Sequence, residues 1–197
     1  IQINELKKIK KIFNKSFIKA VDLILNCKGK IIFAGIGKSG LIARKISATF
    51  SSVGIPSFFC DPAQALHGDM GQIEKKDILI IFSYSGNTSE LTNMIKYANR
   101  YSIKIIGIAS KPDSILLKAS DIKLILPKVK ESDVTGMVPT SSTSITLLLG
   151  DCLATTIMRQ KKFSKEKFKI YHSGGNIGNA LLLAKDIMLV GKKIQII

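Results

Sequence analysis

Some short stretches of this chain are apolar at every position, while longer ones are apolar only at every third or fourth. Ile78-Leu79-Ile80-Ile81-Phe82 is the clearest case of the first kind. Such a run, too short for a helix and bounded by polar residues, marks a parallel strand covered on both faces. Strands are predicted at 31–36, 57–60, 78–82, 104–109 and 122–126. The second pattern opens the chain: Leu6, Ile9, Phe13, Phe17, Ala20, Ile24 and Cys27 recur at helical steps and predict one amphipathic helix over 4–27. Further helices are predicted at 39–53, 88–101, 113–118 and from 141 to about 160. Short ones are predicted at 165–171 and 178–185, an irregular stretch at 61–71 and a loop at 127–138. Strand and helix alternate about five times. With right-handed crossovers, that predicts an α/β fold, a three-layer αβα sandwich around a five-stranded parallel sheet.

Length and composition agree with this pattern. A chain of 197 residues, 46% hydrophobic and with a mean hydropathy of +0.23, can bury one full core and carry a short appendage. No linker rich in Pro or Gly divides it. No apolar run approaches the roughly 18 residues a membrane span requires, so no membrane partner is expected. The first residues are charged and amphipathic, without the apolar core of a signal peptide. The chain opens on Ile1 rather than methionine, as a trimmed or processed chain would.

The net charge of +16 invites a nucleic-acid reading, which the residue types oppose. All but three of the 30 cationic residues are lysine, and bidentate readout of bases and phosphates is the work of arginine. The lysines are spread over helix faces without interleaved aromatics. A solvated Lys-rich surface that attracts anionic small molecules fits better than nucleic acid. Cys27, Cys60 and Cys152 are isolated and odd in number, which predicts neither a disulfide framework nor a metal site and suits a reducing cytoplasm.

Two of the predicted strands run directly into loops of small residues. The first leads into Gly35-Ile36-Gly37-Lys38-Ser39-Gly40, the third into Ser83-Tyr84-Ser85-Gly86-Asn87-Thr88. Both loops open helices, and a helix N-terminus presents unpaired N–H groups and a positive dipole end to an anion. At the carboxyl ends of neighbouring parallel strands the two loops would converge, which predicts a phosphate held by Ser39, Ser83, Ser85 and Thr88. The first loop also matches G-x-G-x-x-G, with Asp61 ending the next strand as a dinucleotide site would want. That scheme leaves the serine-rich loop without a role. The P-loop pattern fails, because its first glycine would fall at Ile32.

Only two histidines are present, His67 in Leu66-His67-Gly68-Asp69 and His172 in Tyr171-His172-Ser173-Gly174-Gly175. Each stands beside glycine in an irregular stretch, where a proton-transfer group is as natural as a structural one. Glu90 falls in the first turn of the helix after the serine loop, near the predicted phosphate. A carboxylate there also complements the helix dipole.

In order along the chain come Gly35-Ile36-Gly37-Lys38-Ser39-Gly40, Pro62-Ala63-Gln64-Ala65-Leu66-His67-Gly68-Asp69, Ser85-Gly86, Pro139-Thr140-Ser141-Ser142-Thr143 and His172-x-Gly174-Gly175. Over residues 5–190 this combination closely resembles the sugar isomerase (SIS) domain of the bacterial D-arabinose 5-phosphate isomerases. The resemblance implies a reversible aldose–ketose isomerisation, D-ribulose 5-phosphate to D-arabinose 5-phosphate. The proton would move between C1 and C2 through an enediol(ate), without an organic cofactor, and the product would feed 3-deoxy-D-manno-octulosonate and lipopolysaccharide synthesis. By the same resemblance the active-site residues fall on Lys38, His67, Glu90 and His172, with Thr140 and Ser142 joining the substrate-binding set. His172 would transfer the proton within a neighbouring subunit's site, implying a homo-tetramer with shared sites. Lys38 would stabilise substrate oxygens or bind the phosphate. His67 and Glu90 would serve ring opening or hydroxyl proton shuttling.

The chain departs from the family pattern at Asp61-Pro62-Ala63-Gln64, Ser83-Tyr84-Ser85-Gly86-Asn87-Thr88, His172-Ser173-Gly174-Gly175 and Asn179-Ala180. The four residues with implied chemical roles survive these changes. Asp186-Ile187-Met188 resembles the lead into the paired CBS domains of longer members, so an SIS domain is expected over 1–185 and the beginning of a CBS region over 186–197. The chain stops too soon for a CBS domain, as in a member lacking the pair or a chain cut there. Two other readings remain: a catalytically silent SIS module that senses a sugar phosphate, and a dinucleotide-dependent enzyme.

Overall fold

The apolar runs fold as strands. The computed structural model describes residues 1–172 and Met188. Among these, β1 (Ile31–Gly35), β2 (Ser57–Phe59), β3 (Ile78–Phe82), β4 (Lys104–Ala109) and β5 (Ile122–Ile125) form one parallel sheet in the order β2-β1-β3-β4-β5. The helices are α1 (Gln2–Leu6), α2 (Lys15–Leu25), α3 (Gly37–Ser52), α4 (Pro62–Ala65), α5 (Leu91–Arg100), α6 (Ile115–Ala119), α7 (Ser141–Gln160) and α8 (Lys165–Tyr171).

Successive strand residues point to opposite faces, and both faces are covered. Ile31, Phe33, Ile78, Ile80 and Phe82 pack with Phe17 and Ile24 of α2, Ile46 and Phe50 of α3, and Ile145, Leu149 and Leu153 of α7. Ile32, Ala34, Leu79 and Ile81 pack on the other side with Leu91, Met94 and Ile95 of α5 and Leu116 and Leu117 of α6. This is the expected three-layer sandwich. Phe33 sits at the centre of the first face, its ring 4.9 Å from Phe50 and 6.1 Å from Phe82. Burying one such side chain contributes about 1.5–3 kcal/mol.

The predicted helix over 4–27 is broken. After α1 the chain runs as a 3-10 segment, Lys7–Ile12, turns at Phe13 and Asn14, and restarts as α2. Asn14 adopts an extended conformation, and its side chain accepts from the Ser16 amide at 2.8 Å. An asparagine that caps a helix by bonding its backbone favours a new start over continuation. Phe13, read as part of the buried stripe, is 47% exposed. The helix expected at 178–185 and the boundary proposed at residue 185 lie outside the described residues.

The strand order positions the site. From β1 the chain crosses to β2 on one side, and the next crossover places β3 on the other side of β1. The parallel pairing of Gly35 with Phe82 brings the ends of β1 and β3 level. Such a reversal leaves a crevice at the carboxyl ends of the two strands, where open α/β sheets bind ligands.

Candidate functional site

The first loop turns tightly from β1 into α3. A Cβ on Gly40 would lie 2.6 Å from the Gly35 carbonyl oxygen, so only glycine lets the first turn of the helix approach the strand so closely. No side chain caps α3, whose N-cap residue is the extended Ile36. Its first turn therefore meets the crevice with backbone N–H groups together with Lys38 and Ser39.

The second loop is braced from within. The Ser83 and Thr88 hydroxyls are 2.8 Å apart, and Ser83 Oγ accepts from the Gly86 amide at 3.0 Å. Gly86 takes a φ of +71°, and a Cβ there would strike the Ser114 side chain. Ser85 is exposed and its Oγ accepts from the Asn87 amide at 3.3 Å, while the Asn87 side chain accepts from the Ile115 amide at 2.9 Å.

Between the first loop, Tyr84 and the start of α7 lies a cavity of about 500 Å³. Of the residues singled out in the sequence, Lys38, Ser39 and Ser142 line it; Ser83, Ser85 and Thr88 are not among its described lining residues. The wall facing Lys38 comes from the 127–138 loop and α7, through Lys130, Glu131, Met137 and Thr146.

Glu131 was not apparent in the sequence. Its Oε2 accepts from the Thr140 amide at 2.9 Å, the Thr140 hydroxyl at 3.1 Å and the Ser142 amide at 3.2 Å. The carboxylate thus takes up N–H groups at the start of a 20-residue helix. Burial pushes the Glu131 carboxyl up, but hydrogen bonds from Ser142 and Thr140 outweigh it and hold the group below its ordinary range. Thr140 is committed to this bond and to the Ser132 amide, which its hydroxyl accepts from at 2.9 Å. The sequence carries one weak signal of these contacts: a carboxylate directly after Lys128-Val129-Lys130, shortly before a Ser/Thr-rich helix start.

The remaining sequence candidates lie elsewhere. His67 is exposed in the turn after α4, which packs against α5. Glu90 immediately precedes α5 rather than falling in its first turn; the Ser89 hydroxyl donates to it at 2.7 Å and holds its carboxyl below the ordinary range. His172 ends α8, with its ring stacked on Phe168 at 3.6 Å and its Nδ1 2.9 Å from the Phe168 carbonyl oxygen. The adjacent Tyr171 ring lies against Gly54, just beyond the C-terminal end of α3. Lys38 stands at the other end of that 16-residue helix, about 24 Å away at 1.5 Å per residue. One copy of the chain does not bring His172 to Lys38.

Asp61, the acidic residue a dinucleotide site would leave free for a ribose, instead caps α4; its Oδ1 accepts from the Ala63 amide at 2.9 Å. Among the described residues no three His, Cys, Asp or Glu side chains gather as metal ligands, and no helix is long and apolar enough to cross a membrane. Cys27, Cys60 and Cys152 are free thiols, each pushed above its ordinary range chiefly by burial.

Residues 24–156 match the SIS domain. The chain belongs to the SIS-domain family. Among curated SIS relatives, an uncharacterised protein of Rickettsia prowazekii is 46% identical over 181 residues, 92% of this chain and 56% of its own. The arabinose 5-phosphate isomerase KdsD of Escherichia coli K12 is 40% identical over 190 residues, 96% of this chain and 58% of KdsD. This chain thus spans a little over half the length of those relatives. Among solved SIS structures, a Listeria monocytogenes protein superposes with a TM-score of 0.84 at 33% identity, over 88% of this chain and 91% of its own. An Escherichia coli CFT073 protein in complex with arabinose 5-phosphate superposes with a TM-score of 0.80 at 35% identity, over 86% and 92%.

Proposed function

We propose that the chain is an aldose–ketose isomerase that interconverts D-ribulose 5-phosphate and D-arabinose 5-phosphate. One observation carries the reading: a single cavity at the sheet's reversal point joins an uncapped helix start with Lys38 and Ser39 to a fixed carboxylate, Glu131, on the facing wall. The first group of features suits a phosphate, and the second suits proton movement. Likeness to KdsD and to the arabinose 5-phosphate complex supports a pentose phosphate as the ligand.

In this reading the phosphate binds at the α3 N-terminus with Ser39, and the serine loop after β3 completes its cradle through Ser83, Ser85 and Thr88. Lys38 and Lys130 offset the negative charge of the phosphate and of the enediolate oxygen. A base removes a proton from C1 of the ketose, the C1–C2 enediol(ate) forms, and a proton returns to C2 while a hydroxyl proton moves between O1 and O2. Glu131 is placed to handle the hydroxyl protons. His172 is the carbon acid–base and reaches the cavity of a second copy in a homo-tetramer, since it lies at the far end of α3 from its own. His67 and Glu90 assist ring opening from the rim. No organic cofactor enters the reaction. The aldose product supplies 3-deoxy-D-manno-octulosonate for lipopolysaccharide, in the cytoplasm.

Proton NMR of D-ribulose 5-phosphate with the purified chain tests the proposal. Appearance of D-arabinose 5-phosphate, lost in a His172→Ala control, is the expected result. No aldose at enzyme concentrations near that of the substrate would overturn it and favour a sugar-phosphate sensor.

A further inference from the structure

The wall that carries Glu131 belongs to the 127–140 segment, which has no regular secondary structure and so no ladder to satisfy its backbone N–H groups. From Ser132 onward, groups of the segment itself take several of them, Asp133 and Glu131 among them, but the two amides before Glu131 are taken by side chains from elsewhere. The Val129 amide donates to the Tyr84 hydroxyl at 3.0 Å, from the loop after β3. The next amide, that of Lys130, donates to Glu5 Oε2 at 2.9 Å, from α1. The residue after that is Glu131. Consecutive amides leading to the cavity carboxylate are therefore held by two different elements.

The hold from α1 is built rather than incidental. The Glu5 side chain is only 14% exposed, and Lys8 Nζ pairs with it at 2.5 Å while also donating to the Lys128 carbonyl at 3.4 Å. Three residues earlier, Gln2 Nε2 donates to the Ser144 hydroxyl at 2.6 Å, on the helix whose start receives Glu131. Residues 2–8 thus grip both the strand of backbone before Glu131 and the first turn of α7 after it. They lie outside the 24–156 stretch matched as the SIS domain.

We propose that Glu5 is a positioning residue for Glu131: by accepting the Lys130 amide it fixes the backbone from which the Glu131 carboxylate reaches the cavity. The proposal rests on the isomerase reading for its kinetic consequence but not for the clasp itself. A carboxylate that must meet substrate hydroxyls tolerates little displacement, since an error near 1 Å in a catalytic group costs about a hundredfold in rate. A purely structural role for Glu5, tying α1 to the domain, would alter stability without altering the chemical step.

Three substitutions in the full chain separate these cases. Glu5→Met keeps the side-chain bulk and removes the acceptor, Glu5→Gln keeps an acceptor, and Glu5→Ala removes both. Amide hydrogen exchange read by NMR at Lys130 is expected to quicken at least tenfold in Glu5→Met and Glu5→Ala and to stay near wild type in Glu5→Gln. In the conversion of D-ribulose 5-phosphate, kcat is expected to fall about tenfold in Glu5→Met with KM changed less than twofold, and to recover in Glu5→Gln. Unchanged exchange at Lys130 in Glu5→Met overturns the clasp. Faster exchange with wild-type kcat overturns the positioning role. A wild-type chain that fails to isomerise sinks the isomerase reading, and the exchange result then decides the clasp alone.

Discussion

Glu131 and Thr140 meet twice: Oε2 of the carboxylate accepts from the Thr140 amide at 2.9 Å and from its hydroxyl at 3.1 Å. The contact closes the loop that walls the cavity and fixes the carboxylate against the start of α7. Because these bonds and those from Ser142 outweigh burial, Glu131 is ionised through the neutral range. Glu131→Gln keeps the shape and removes the base. Loss of a positioned acid–base group costs about 10²–10⁴ in rate, so kcat is expected to fall at least a hundredfold while KM moves little. Steady-state kinetics with D-ribulose 5-phosphate checks this, and a kcat within threefold of wild type would remove Glu131 from the chemistry.

Shared sites make a prediction of their own. Lys38→Ala and His172→Ala chains are each expected to lose most of the isomerase activity. Co-expressed, they are expected to regain part of it, because a mixed oligomer contains cavities with an intact Lys38 and an intact His172 from different copies. A mixture as inactive as its components would place both residues in one chain's cavity or deny His172 a role.

Gly40 carries the close approach of α3 to β1. Gly40→Ala puts a methyl group 2.6 Å from the Gly35 carbonyl oxygen, where backbone must shift to admit it. Overpacking of this kind costs about 1–3 kcal/mol, and the shift falls on the turn that presents Lys38 and Ser39. Urea unfolding is expected to show the loss, with KM raised in parallel; unchanged stability would mean the turn has slack.

Asp133 organises the loop beside Glu131. Its Oδ1 accepts from the Thr135 hydroxyl and, at 2.8 Å, from the Thr135 amide, and its Oδ2 accepts from the Val138 amide at 3.0 Å. The Thr135 hydroxyl foremost, with these amides, lowers the Asp133 carboxyl from an ordinary 3.8 to about 2. A carboxyl lowered on folding contributes stability that is complete above its unfolded value and is lost as pH falls through its folded one. The loop is therefore expected to hold its form from neutral pH to below 4 and to loosen towards pH 2, as a carbon-13 titration of the Asp133 carboxyl would follow. A midpoint near 4 would show that the turn does not form in solution.

Cys60 is 4% exposed at the end of β2, and burial first, with the charges of Asp69 and Asp61, raises its thiol to about 11. The thiolate is the reactive form, and at pH 8 only about one part in a thousand is present. Cys60 is expected to react with a thiol reagent far more slowly in the folded chain than in guanidinium, as mass spectrometry of the labelled sites would show. Equal rates would mean the β2 edge opens readily.

What the sequence by itself determined is what local rules govern. The run Ile78 to Phe82 could be nothing but a strand buried on both faces, and its bounds are those observed. The same holds for Lys104–Ala109 and for the long helix Ser141–Gln160. The first small-residue loop is legible because a glycine-rich turn from a strand into a helix has its own chemistry, whatever surrounds it. The break at Asn14 is not legible in the sequence, because the apolar period runs on across it while the cap that breaks the helix depends on a single side chain.

Tertiary structure alone decided who meets whom at the site. Glu131 lies far along the chain from Lys38, and they share a cavity because the crossovers lay the loop after β5 and the start of α7 across the reversal between β1 and β3. Glu5 reaches Lys130 over 125 residues for the same reason. Equally, the motif around His172 is visible in the sequence, but its place at the far end of α3 from Lys38 comes from the packing of Tyr171 on Gly54. Periodicity records which face of an element is buried; it carries no record of which other element covers that face, and functional groups are assembled by the second.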